Sequence, residues 1–194
     1  FGVPSSWVSV GQIRQEYLVN INIICSELSL EPVGFVVLPE AISHILKSEE
    51  GSPLNAVLLG IYKDTIEISV FKLGSLSGNT LVSRSVSIVD DVYEGMTRFA
   101  GIDALPSRLI LYNAKEKELE EARQTLINVN WEDFEKLKFL HTPKVEVIDP
   151  ERKAYAVSLA GASELADVSY LEHPILKKDS ALDEEKDVTA EDLG

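Results

Sequence analysis

Apolar positions along the chain fall into two rhythms, and their order predicts the elements. Ile13, Tyr17, Ile21, Ile24, Cys25 and Leu28 recur at helical spacing, which predicts a helix over residues 12–28 with all six on its buried stripe. Ahead of it, residues 1–10 read as a short strand and a loop, broken at Pro4-Ser5-Ser6. Residues 33–38 form a continuous apolar run after Glu31-Pro32 and predict a buried strand. Pro39-Glu40 then opens a helix to Lys47, because proline in the first turn loses no needed donor. The polar stretch 48–53, with Gly51 and Pro53, marks a domain boundary.

Beyond that boundary the rhythm changes to period two. Residues 56–62 predict an apolar strand. Residues 65–72 alternate, with Ile66, Ile68 and Val70 on one face and Glu67 on the solvent side. A turn over 74–79 and a further alternating strand over 81–89 complete a three-stranded meander. Asp90-Asp91 offers a helix cap, with Glu94 placed for a capping box and Gly101 ending the helix after Ala100. Strands over 108–112 and 144–148 flank a helix over 115–129, whose apolar face is Leu119, Ala122, Leu126 and Val129. Its charged run from Lys115 reads as a solvated face. Asp149-Pro150 caps and opens a last helix to Ala166. Ala154, Ala156, Ala160, Gly161 and Ala162 suit it for close packing on a sheet. Residues 169–194 carry 8 acidic and 3 basic side chains and few large apolar ones, the composition of a disordered tail or linker.

Charge narrows the functions open to the chain. In 194 residues, 18 Lys and Arg face 32 Asp and Glu, a net charge of −14. That balance opposes binding to nucleic-acid backbone or to an anionic membrane surface. A single cysteine excludes a disulfide framework, and Cys25 on the helical stripe reads as a small buried hydrophobe. His44, His141 and His173 show no ligand spacing, and His44 and His141 read as ordinary surface or loop residues. No apolar run approaches 18 residues, so direct membrane insertion is not expected. The start at Phe1, inside an apolar stretch, reads as a piece of a longer cytoplasmic chain.

From residue 54 the predicted order is βββ-α-β-α-β-α, the order of a ribonuclease-H-like domain of α/β class: a mixed five-stranded sheet with helices on both faces. The preceding β-α-β-α reads as the closing half of a similar domain over residues 1–50, the complete one running over 54–168. On this fold Glu67, Asp90 and Asp149 are the candidates for the metal carboxylates of a nuclease. Such a site needs an aspartate inside the first strand, and residues 56–61 have none. Asp90 and Asp149 are better explained as caps. Ser5-Ser6 has neither a nearby histidine nor a glycine elbow, so it is no nucleophile. Trp7 and Trp131 read as packing side chains rather than partner anchors.

Several segments carry a resemblance to a known family. Gly2-Val3-Pro4-Ser5-Ser6-Trp7 resembles the strand-ending "VPA-aromatic" segment of actin-like and chaperone-type ATPases. The stretches from Leu28 to Val33 and from Leu38 to Ile42 resemble the "aGL.p..ii.EP.Aia" segment that follows. The run from Ala56 to Phe71 is similar to the second phosphate hairpin, and the run from Arg108 to Ala114 occupies the place of the adenosine motif. Pro143-Lys144-Val145 and Ala160-Gly161-Ala162 resemble the closing segments. Together these cover residues 1–166 and imply an actin-like ATPase, nearest to the pilus-assembly and cell-division branch.

The resemblance also implies where the chain departs from a working ATPase. Gly60 stands where the hairpin aspartate acts near the metal, and Tyr62, Lys63 and Asp64 replace glycines that let backbone N–H groups approach phosphate. Thr65 remains. Asn113 and Ala114 replace both glycines of the adenosine motif. The nucleotide site formed by Gly60, Lys63, Asp64, Thr65 and Asn113 is thus expected to be vestigial, with no catalytic residue, no metal ligand and no cofactor. ATP with Mg is expected only for a longer chain whose first half supplies the contacts. The implied role is a non-catalytic scaffold or adaptor in the cytoplasm, binding protein partners through a membrane-protein peptide or self-association. The alternative is a divergent ATPase relying on the preceding half.

Overall fold

The computed structural model describes residues 1–99 and 104–165. The fold is α/β. Strands β1 (Gly2–Val3) and β4 (Val36–Val37) pair in parallel, and β2 (Val8–Ser9) with β3 (Gln12–Ile13) forms a small hairpin. Its turn places Val10 and Gly11 at φ of 49° and 72°. Helix α1 (Gln15–Glu27) lies between them, and α2 (Leu38–Glu50) follows β4 directly. The rest is a five-stranded mixed sheet in the order β7-β6-β5-β8-β9. Its strands are β5 (Ala56–Ile61), β6 (Thr65–Lys72), β7 (Ser75–Ser83), β8 (Arg108–Tyr112) and β9 (Lys144–Val147). The first three pair antiparallel, and β5, β8 and β9 are parallel.

Side-chain alternation divides the core between the two faces of this sheet. Val57, Leu59, Ile61, Ile66, Ile68 and Val70 pack with α3 (Ile88–Thr97) and α4 (Glu116–Ile127). Ala56, Leu58, Phe71, Ile110 and Tyr112 pack with α2 and α5 (Pro150–Leu165). Ala156 and Ala160 are buried on α5, so its small side chains do bring it close to the sheet. Residues on both sides of the 48–53 stretch share this second cluster, Ile42, Ile45 and Leu46 before it and Leu54 and Ala56 after it. Arg108 spans the same stretch: its guanidinium donates to both oxygens of Glu50 (2.7 and 2.9 Å) and both of Glu146 (2.8 and 3.1 Å).

Several boundaries differ from the expectation, each for a local reason. The turn over 74–79 is instead Leu73-Gly74, both with positive φ (51° and 78°), and residues 75–79 are strand. A two-residue hairpin with left-handed backbone matches strand twist, and Gly74 supplies it at low steric cost. The following strand ends at Ser83 rather than at 89. Helix α3 is capped by Ser87, whose Oγ accepts from the Asp90 amide, and not by Asp90-Asp91. Asp91 is buried and accepts from the Ser85 amide instead. The run 33–38 yields only the two residues of β4, because Leu38 already opens α2. On α1 the stripe is narrower than expected: Ile21 and Cys25 are buried, while Ile24 and Leu28 are exposed. Asp149 does cap α5, accepting from the Arg152 amide at 2.7 Å. Gly101, Ala166 and the segment 169–194 lie outside the described residues.

Candidate functional site

The ends of β5 and β8 bring the five predicted nucleotide-site residues to one end of the sheet. Gly60 lies opposite Glu67 of β6 on one side and Tyr112 of β8 on the other. Lys63 and Asp64 form the hairpin loop, closed by the Tyr62 amide donating to the Thr65 carbonyl at 2.9 Å. Both are exposed, and neither needs left-handed backbone. Arg84 braces this loop: its Nη1 donates to the Tyr62 carbonyl (2.9 Å) and to Glu118 (2.7 Å). Asn113, one residue past β8, does adopt the left-handed conformation, at φ 68°. Asparagine tolerates that region better than most side chains. Its Oδ1 accepts from Lys153 Nζ at 2.7 Å, and burial lowers the Lys153 ammonium below its ordinary pKa.

Glu67 is the side chain that sequence reasoning misplaced. It is fully buried rather than facing solvent. Its Oε1 accepts from the Ser5 amide (2.8 Å) and from Asn79 Nδ2 (3.3 Å), and its Oε2 from the hydroxyls of Tyr62 and Tyr112 (3.1 Å each). Asn79 Nδ2 also donates to Ser69 Oγ at 2.7 Å. A buried carboxyl is tolerated when donors surround it, and these four come from four parts of the chain. Burial first, and the Glu67 charge second, push both phenols above their ordinary pKa. The cluster ties the Ser5–Trp7 turn to the face of the central sheet. Glu67 is buried because β6 is an inner strand and the Ser5–Trp7 turn, with Tyr62, Asn79 and Tyr112, closes over its side chain.

The tyrosines explain Gly60. A Cβ at that position would meet Tyr112 Oη at 2.6 Å, Tyr112 Cζ at 2.7 Å and Tyr62 Cε2 at 3.1 Å. Tyr112 therefore reaches Glu67 by crossing the bare backbone of Gly60. No hydrogen-bonding atom of the cluster is left unpaired among the described residues. Nor do those residues hold a group of three or more His, Cys, Asp or Glu side chains able to bind a metal. No described helix is long and apolar enough to cross a membrane. Trp7 stacks on Tyr17 with ring centroids 4.6 Å apart, and Trp131 is buried against Phe134 and Phe139, so both tryptophans are packing side chains. Comparison with family models, curated proteins and solved structures returned no match.

Proposed function

We propose that this chain is a non-catalytic, actin-like scaffold that binds protein partners, built on a ribonuclease-H-like domain whose nucleotide site is vestigial. The strand order β7-β6-β5-β8-β9, with α3 and α4 on one face and α5 on the other, supports the fold assignment. One observation carries the functional reading. Gly60, which stands in the place of the aspartate that acts near the metal, is covered by Tyr112 and Tyr62, with the Glu67 carboxylate beside them. The space beside that position is filled by phenol rings, and the loop after it carries the side chains of Lys63 and Asp64 where bare backbone would approach a phosphate. The scaffold sits in the cytoplasm and takes its partners from a membrane-associated pilus or cell-division assembly, through a peptide of a membrane protein.

A second reading, a divergent ATPase drawing most contacts from a preceding segment, is favoured by Asn113. That residue, standing where the motif has a glycine, adopts the left-handed backbone that glycine favours, with the Lys153 ammonium beside it. Isothermal titration of Mg-ATP into a longer form of the chain separates the two. The scaffold reading expects no heat of binding and no thermal shift. Tight, Mg-dependent binding that weakens in Lys63→Ala or Thr65→Ala would overturn it.

A further inference from the structure

We propose that the outer edge of β7, at Asn79, Leu81 and Ser83, docks an extended peptide of a protein partner, which adds to the sheet as a further strand and displaces Arg98. The inference rests on the partner-binding reading above and names its site. β7 is the outermost strand on its side of the sheet. Its nine residues, Ser75–Ser83, contain no charged side chain and no proline, two of the usual devices that keep an edge from pairing, and its bulge, opposite Val70 and Phe71, lies before the stretch from Gly78 to Ser83. Antiparallel ladders send the backbone groups of alternate residues inward and outward. Leu81 sits opposite Glu67 in the ladder, yet its carbonyl accepts from Arg98 Nη1 at 3.0 Å. Leu81 therefore faces outward, and Asn79 and Ser83 share its parity through the regular register from Gly78 onward.

Arg98 acts as a removable guard. The same nitrogen donates to Thr80 Oγ1 at 2.7 Å, and Nη2 pairs with Glu94 at 2.7 Å, all at exposed positions. A strand arriving at Leu81 takes the carbonyl from Arg98 and leaves Glu94 without its cation. A lysine or arginine of the peptide would replace it there, beside the exposed Asp90. The chain's net charge of −14 favours the same basic partner. A second copy of the chain fits less well. It brings its own −14 charge to the same edge. Main-chain bonds to an exposed edge supply affinity for an extended peptide.

The test uses the full chain and a synthetic peptide of alternating valine and threonine with one central lysine, compared with its backbone N-methylated twin. At saturation the peptide should slow amide exchange at Asn79, Leu81 and Ser83 by about tenfold, and the twin should not. Arg98→Ala should tighten binding by about threefold and Glu94→Gln should weaken it by about as much. The site is refuted if those amides are unprotected, or if the twin protects them equally. Protection that appears with protein concentration alone assigns the edge to a second copy and overturns the peptide. Tight Mg-ATP binding defeats the scaffold reading without touching the exchange result, so the two failures are distinguishable.

Discussion

Gly60→Ala is the sharpest perturbation of the Tyr112–Glu67 arrangement. The added methyl would sit 2.6–2.7 Å from Tyr112 Oη and Cζ, inside any tolerated carbon contact. Tyr112 has no exposed surface and is held in register opposite Gly60 of β5, so its ring cannot swing into solvent. Two terms follow. Overpacking a filled core costs about 1–3 kcal/mol. Displacing the hydroxyl removes a hydrogen bond to a carboxylate, about 1.5–3 kcal/mol. Against them, alanine is about 0.5–1 kcal/mol better than glycine in a strand interior. The expected net loss is about 1.5–5.5 kcal/mol. Urea unfolding followed by far-UV circular dichroism, with the midpoint shifted at constant slope, measures it. Tyr112→Phe alone should cost about 1.5–3 kcal/mol. The double variant should cost less than the sum, because both changes break one bond. If Gly60→Ala is neutral or stabilising, glycine is not there to let Tyr112 pass, and the account of a covered backbone fails.

Other outcomes follow from the same contacts. Glu67→Ala removes both acceptor oxygens from four donors. It should cost at least about 3 kcal/mol and release the Ser5 amide to fast hydrogen exchange, whereas continued protection of Ser5 would show that the N-terminal turn is held by something else. Tyr62 and Tyr112 have phenol pKa values raised by burial and by Glu67. Their contribution to stability is complete below the unfolded phenol value of about 10 and falls as pH climbs beyond it. Absorbance at alkaline pH should show two of the six tyrosines ionising only with unfolding. Arg108→Ala breaks the clamp between Glu50 and Glu146 and should cost about 1 kcal/mol at neutral pH, given its partial exposure. The hydrogen bond from Arg108 lowers the Glu50 pKa below its ordinary 4.5, so the clamp's contribution is present above that value and fades as pH falls below it. The variant and the parent should therefore converge in acid.

The parallel and antiparallel halves of the sheet were implied by the fold whose element order the chain matches, and the β2–β3 hairpin, with Gln12 and Ile13 in strand rather than helix, was not legible. Periodicity determined the larger helices and strands and the buried fates of Cys25, Leu119, Ala122 and Leu126. These depend on local spacing, which the chain carries wherever it goes. Turn and cap positions were half legible: Asp149 before Pro150 is a local signal that held, whereas α3 is capped by Ser87, three residues ahead of Asp90. Glu67 lay beyond local reading. Whether its carboxyl faces water or protein depends on what covers the second face of β6, and its four donors come from residues 5, 62, 79 and 112. Gly60 shows the same division. One strand's sequence records a missing side chain, but the ring that occupies the space comes from another strand, and only tertiary packing brings the two together.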